Sequence, residues 1–464
     1  MTPLSKLERR LFLLAAGLSP LYFVQLAGKA VAPWDFLFPV VTVLYLLRTR
    51  SVPVGPTARY TLGVLSFLAA IVISTMNSPF PIVSFFDSGQ YLLILLFVVP
   101  ATLAAAEDRQ TRWKTLLAVT LSTNLLAVST ELLAFNTGTF SIAFPFWNVN
   151  IPYRIASAAV LLNIGLAVSP RLEFRGRAVA AALAAVHAYT VFLGPSLGGP
   201  IFLVCGGVLF AWWGARRHGI PTGVLVTAST AVSVFAGLVA LANLEMVYQL
   251  GVFNLRLPMY REAVVEGLRV FPWGGGMSSA DLYLADLSPR ISREVHNPFL
   301  SWWLEFGLLG IVGGVLLFVD WPFAAGRVLR THHDISGWEL APAAAFFGYF
   351  VQQQFQPAPV VRFYWILFAV SWSSLHASLG DATRASVAKD SGIVPRVWRD
   401  SRLETIADGV ARSIRNSTTY RVARPSSLSP VVSEDATVLR LLSPFWQAWR
   451  SSRIRRLLFR VARL

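Results

Sequence analysis

The sequence predicts an all-α fold: a polytopic membrane bundle of about twelve transmembrane helices, with one long extracytoplasmic loop and a basic cytoplasmic tail. Three observations lead there. Of the 464 residues, 55% are hydrophobic and only 14% are charged, whereas soluble domains carry about 25% charged residues. The apolar residues gather into blocks that approach the roughly 20 needed to cross a bilayer. The lysines and arginines between the blocks fall on alternate loops.

The first span is expected at 11–26. It follows Lys6, Arg9 and Arg10 in a signal-like start that, with more apolar blocks behind it, reads as uncleaved. The others are expected at 34–47, 60–76, 91–105, 113–133, 155–168, 178–193, 201–213, 224–241, 299–319, 340–350 and 363–379. With the N-terminus in the cytoplasm, the loops on that side are "RTRSVPVGPTAR", "EDRQTRWK", "SPRLEFRGR", "GARRHGIP" and "GRVLRTHH", all basic. The short loops on the other side, such as "GKAVAP", "GPSLGGP" and "QQQFQPAPVVR", hold at most one basic residue each. This asymmetry places both termini in the cytoplasm of a multi-pass plasma-membrane protein. The net charge of +16 is therefore read as membrane topology, and nucleic acid is not an expected partner.

Two units follow: a bundle over 1–379, with a functional loop at 243–297, and a tail over 380–464. The tail ends in "FWQAWRSSRIRRLLFRVARL", where apolar residues near helical spacing alternate with arginines. It reads as an amphipathic helix on the anionic inner leaflet. The stretch "RPSSLSPVVSED" before it reads as a linker.

The 243–297 loop is far longer than its neighbours and carries Arg256, Arg261, Arg269, Arg290 and Arg293. Long loops on a rigid scaffold are where function concentrates. Basic residues on the otherwise arginine-poor side point to an anion. Within "LPMYREAVVEGLRVFPWGGGMSS", Pro258 is expected to open a helix. Arg261 and Arg269, about 80° apart in bearing, would border one pocket. Pro272 closes the helix, and Gly274, Gly275 and Gly276 follow. The glycines allow close backbone approach to a ligand, or simply make a flexible turn.

Next comes "REVHNPFLSWWLEFGLLGIVGG". Pro298 suits the first turn of a helix, so Asn297 is expected to be its N-cap and His296 to sit at its lip. A neutral imidazole there can accept a proton, or can serve as a hydrogen-bonded interfacial group. Nine residues on, Glu305 points nearly the opposite way and is expected to pair with polar groups of a neighbouring span. Trp302 and Trp303 fit an interfacial aromatic belt, and Arg293 fits a side chain snorkelling to headgroups.

Other residues carry less. Asp281 and Asp286 read as caps or solvated charges, and His332 and His333 fall on the cytoplasmic side. His187 reads as a satisfied core histidine and the single cysteine, Cys205, as a buried inert thiol. No P-loop, dinucleotide fingerprint or multi-cysteine metal motif occurs, and no cofactor or metal is expected.

"EVHNPFLSWWLEFGLLGIVGG" resembles the signature of the O-antigen ligase and O-antigen polymerase superfamily, in which His-Asn opens a span that continues Leu-x-Glu-x-Gly-Leu-x-Gly. Here that run is His296, Asn297, Leu304, Glu305, Phe306, Gly307, Leu308, Leu309 and Gly310. "YREAVVEGLRVFPWGGGMSS" is similar to the family's arginine-bearing helix ending in Pro-x-x-Gly-x-Gly. "FPFWNVNIPYRIASAAVLL", with Arg154, is similar to its Asn-rich outer turn. One departure is Leu197 in "GPSLGGP", where the family often has arginine; Arg154 or Arg256 would then compensate.

The resemblance implies an inverting, metal-independent glycosyltransferase. Its donor would be a polyprenyl-diphosphate-linked oligosaccharide at the outer membrane face, its acceptor a glycan or lipid. His296 would be the base. Arg154, Arg256, Arg261, Arg269, Gly274, Gly276 and Asn297 would hold the diphosphate or glycan, with Glu305 in support. Other envelope-polysaccharide assembly proteins are possible partners. Two other classes stay open: a transporter or flippase of lipid-linked glycans, which would show broken helices near mid-membrane, and a scaffold that docks through the basic tail.

Overall fold

In a computed structural model the structure describes residues 3–21, 32–50, 57–137, 150–193, 198–221, 223–224, 252–280, 284, 295–331, 335–354 and 361–387. The chain divides into two units, Met1–Leu379 and Gly380–Leu464. All of the expected span at 224–241 except Val224, and the amphipathic tail, lie outside the described residues.

The fold is all-helical, with no strand among the described residues. The helices are α1 (Lys6–Leu18), α2 (Leu37–Thr49), α3 (Ala58–Asn77), α4 (Pro81–Leu93), α5 (Val99–Ala106), α6 (Arg109–Thr137) and α7 (Asn150–Ala167). They continue with α8 (Phe174–Leu193), α9 (Gly198–Arg217), α10 (Val252–Arg269), α11 (Pro298–Phe318), α12 (Asp320–Thr331), α13 (Gly337–Gln353) and α14 (Arg362–Val387). Six stretches among the described residues are long and apolar enough to cross a membrane: Ala58–Asn77, Pro81–Ala106, Arg109–Leu132, Phe174–Leu193, Gly198–Arg217 and Pro298–Thr331. This is a membrane protein.

Several expectations are corrected. The segment "NSPFPIVSFFDSG", expected to be an outer loop, is mostly helix, because Pro81 starts α4 about three turns before the expected span. A π-helical turn, Ile94–Val98, then joins α4 to α5. Hydropathy missed these turns because Ser84, Asp87 and Ser88 are polar, yet all three are buried against the bundle. "GRVLRTHH" was expected to be loop, but α12 runs through its first six residues. Pro258 lies inside α10, which begins six residues earlier, at Val252. Cys205 is half-buried rather than buried.

Close helix approach explains the packing. α11 lies along α3, with Gly63 facing Gly313. A β-carbon on Gly63 would come within 2.8 Å of the Leu317 nitrogen, and one on Gly313 within 2.9 Å of the Phe67 nitrogen. Small residues at such a crossing let van der Waals contact, the main attraction between helices in lipid, operate backbone to backbone. At α9 and α13 Gly206 does the same: a β-carbon there would come within 2.6 Å of the Ala344 oxygen.

Polar contacts sort by level. Arg48 with Glu8 (2.8 Å), Arg59 with Asp320 (2.8 Å) and Arg109 with Glu339 (2.9 Å) join helix ends at the side carrying the α1 N-terminus. Arg362 and Asp35 pair at 3.0 Å at the opposite side, both almost inaccessible. Within the bundle, His187 places Nδ1 2.7 Å from the Glu131 carboxylate and Nε2 3.2 Å from Asn124 Oδ1. Asn124 in turn pairs with Asn163. The satisfied core histidine read from the sequence is what the structure shows, and it ties α6, α7 and α8 together.

Trp302 does not join a lipid-facing belt. It is 2% exposed, donates from Nε1 to the Tyr91 hydroxyl at 2.9 Å, and stacks on Phe318. The helix turns it inward, onto the α3 and α4 side of the bundle. Trp303, one residue on, is half-buried over Gly267 of α10.

Candidate functional site

α11 is not continuous. Gly307 has φ 66° and ψ −153°, so the ladder is interrupted about three turns in. Residues 270–279, expected to form an outer loop, fill the break. Gly275 N–H donates to the Leu304 carbonyl (2.9 Å), Gly276 N–H to the Glu305 carbonyl (2.8 Å), and Leu308 N–H to the Pro272 carbonyl (2.9 Å). Each satisfies a backbone group that the break would leave bare in an apolar setting.

This is the place of Gly274 and Gly276. Both have left-handed φ, 78° and 85°. A β-carbon on Gly274 would reach within 2.6 Å of the Gly307 nitrogen, and one on Gly276 within 2.6 Å of the Ser78 hydroxyl. The glycines are spent on packing the loop into the helix.

Glu305 is part of the same junction. Its carboxylate accepts from Ser278 N–H (3.2 Å) and from the Ser301 hydroxyl (3.0 Å), while the Ser278 hydroxyl donates to Asp87 (2.5 Å). The inserted loop and the helix itself each supply a partner. α4 contributes Asp87 and, at 2.9 Å from Met277 N–H, the Ser84 hydroxyl.

One end of α11 holds the second constellation. Asn297 is the N-cap, as its position before Pro298 predicts: Oδ1 accepts from Phe299 N–H (3.0 Å) and Leu300 N–H (3.1 Å). Its Nδ2 donates to the Gln354 side-chain oxygen at 3.2 Å. Asn297 N–H donates to the Val295 carbonyl (2.8 Å), so His296 forms the apex of a γ-turn. The imidazole therefore projects from a backbone pinned on both sides. Its Nδ1 is buried and has no hydrogen-bond partner among the described residues.

Two guanidiniums act on that ring. Burial, then the charge of Arg256 in α10, then that of Arg154 near the start of α7, hold His296 down at about 4, against an ordinary 6.5. A ring so placed is uncharged at neutral pH. Arg154 is 4% exposed and faces the Tyr349 hydroxyl of α13. Burial also lowers Arg256, partly offset by Tyr260.

The structure thus brings together His296, Asn297, Arg154 and Arg256. It does not bring Arg261 or Arg269 to them. Both are exposed, and Arg269 pairs with Glu266. The early start of α10 supplies the reason. Relative to Arg256, Tyr260 lies about 40° around the helix, whereas Arg261 lies about 140° and Arg269 about 140° the other way. The one-pocket expectation for Arg261 and Arg269 assumed that their own face met the site.

No protein-family model matches the chain, and no curated protein matches it either. The site must be read from its own chemistry. Leu197, Asp281, Asp286, Arg290, Arg293, His332 and His333 lie outside the described residues. Among the described residues no group of three or more histidine, cysteine, aspartate or glutamate side chains is placed to hold a metal ion.

The sequence reading missed Tyr260, Tyr349 and Gln354. The run "QQQ" at the end of α13 was a usable signal: three amides closing an apolar helix. Tyr260, four residues after Arg256, was another, since that spacing shares a helix face.

Proposed function

We propose that the chain transfers or polymerises lipid-diphosphate-linked oligosaccharide at the outer face of the cytoplasmic membrane, as an O-antigen polymerase- or ligase-like glycosyltransferase. The observation that carries this reading is an uncharged imidazole beside two guanidiniums at one end of a membrane bundle. Arginine forks match phosphate oxygens, and they neutralise a diphosphate so that it leaves without a strong acid. The acceptor hydroxyl attacks the anomeric carbon and forms the new glycosidic bond. The bond from that carbon to the diphosphate oxygen breaks, and the lipid diphosphate departs. The hydroxyl proton passes to His296. A single displacement of this kind inverts the anomeric centre and requires no metal.

Arg154 and Arg256 fill the role left by Leu197 in the family pattern. The resemblance around His296 to Gly310 supports the same reading. We infer twelve crossings, with both termini cytoplasmic. The basic residues "RTRSVPVGPTAR" and "EDRQTRWK" support that threading, and reporter fusions at each loop test it. The chemistry is tested with purified protein in liposomes, supplied with a polyprenyl-diphosphate oligosaccharide and no ion gradient. Elongation or transfer that is lost in His296→Ala and in Arg256→Ala is expected. Full activity of His296→Ala would remove the base role.

One observation favours a second reading, transport of the lipid-linked glycan: α11 is broken at Gly307, beside the buried Asp87 and Glu305. Transporters hold substrates at such breaks. Here the freed backbone groups are already bonded to residues 272–276, which leaves them little to offer a cargo. Movement of glycan across liposomes without product formation would favour transport.

A further inference from the structure

The hydroxyl of Tyr260 has one proton to give and two carbonyls in reach, His296 at 3.0 Å and Gln354 at 3.4 Å. The shorter contact is the better bond. It joins α10 to the apex of the γ-turn that bears the imidazole. Arg256 stands one turn earlier on the same face of α10, so whatever fixes Tyr260 also fixes the base of the Arg256 side chain. The Gln354 end is held separately: its Nε2 donates to the Phe350 carbonyl (3.0 Å) and its side-chain oxygen accepts from Asn297. α10, the His296 turn and the end of α13 therefore meet at a single phenol.

We propose that Tyr260 is a positioning residue, which sets the separation between the Arg256 guanidinium and the His296 imidazole by tethering α10 to the His296 carbonyl. Its consequence for turnover rests on the transfer reading above; its geometry does not. A base and a phosphate-binding cation that serve one displacement must be held at a fixed distance, and an error near 1 Å can cost about 100-fold in rate. Among the described residues the Tyr260 hydroxyl bonds to backbone carbonyls, and the ring packs against the Met259 and Leu304 cluster, so the residue acts as a tether and not as a catalytic group.

The test uses full-length protein in nanodiscs with isotope-labelled histidine. The chain has six histidines, and His296→Asn identifies the signal of interest. The groups facing His296 among the described residues are Arg256 and Tyr260 from α10 and Arg154 from α7, with Tyr349 of α13 behind Arg154. In Tyr260→Phe the His296 midpoint is expected to rise from about 4 toward 6.5 as Arg256 drifts away. Turnover should fall by about 10- to 100-fold. Tyr260→Gln, which keeps a donor, should fall between Tyr260→Phe and the unsubstituted protein in both measurements, and it serves if Tyr260→Phe does not fold.

Arg256→Gln supplies the end point, and adding Tyr260→Phe to it should move the midpoint no further. An unmoved midpoint in Tyr260→Phe overturns the proposal, and so does full turnover. An additional shift in the double variant overturns it as well, because Tyr260 would then act by a route other than Arg256. A moved midpoint in a protein that transfers no glycan at all would keep the tether and remove the transfer reading.

Discussion

Acidification is the sharpest perturbation of the site. His296 sits near 4 because burial and two cationic neighbours oppose a proton on the ring. At pH 5.5 a group of that kind is about 97% neutral, whereas one at 6.5 would be only about 9% neutral. If the neutral ring takes the acceptor's proton, kcat/KM should stay within a few per cent of its plateau at pH 5.5 rather than drop about ten-fold. The assay is the initial rate of glycan transfer in liposomes between pH 4 and 8, with the lipid-linked donor below saturation. Arg256→Gln removes one of the opposing charges, so any residual activity should show its acid limb at higher pH. An acid limb centred near 6.5 in the unsubstituted protein would refute the reasoning. Stability should follow the same groups. The folded state binds fewer protons than the unfolded one between about 4 and 6.5, so the His296 contribution is complete above 6.5 and is lost as pH falls toward 4.

Six substitutions separate structural from chemical roles. Gly274→Ala should lower stability by at least about 1–2 kcal/mol from the left-handed φ alone, read as a fall in thermal midpoint in detergent. Asn297→Ala should remove the cap of α11, at a cost of about 1 kcal/mol, with activity reduced because the His296 turn loosens. Arg261→Ala and Arg269→Ala should each leave transfer near the unsubstituted rate, while Arg154→Ala abolishes it. Gly313→Leu should force α3 and α11 apart and cost about 1–3 kcal/mol, seen as loss of folded protein in size-exclusion chromatography.

Much of the frame was legible because hydropathy and capping are local. α3, α6, α8 and α9 lie where their apolar blocks do, and Asn297 before Pro298 announced the start of α11. The first turns of α4 were not legible, since Ser84 and Asp87 look solvent-facing until the residues that cover them are known. Nor was the break at Gly307, because a glycine in an apolar run is equally compatible with an unbroken helix. The arginines were ambiguous for the same reason. Residue type marked five candidates in the loop, but only the start of α10 decides which face meets His296. Trp302 could be assigned to lipid or core only with Tyr91 in place beside it.

The gap in α11 also bears on how the polypeptide comes together. Residues 270–279 are synthesised before the helix whose gap they occupy, so the plug exists before its socket. Half-helices with bare carbonyls are poor guests in hydrocarbon, and the glycine-rich hook has little of its own to fold around. Each becomes stable when the other arrives. A chain cut between them, expressed as two pieces, should therefore assemble only when both halves are made together.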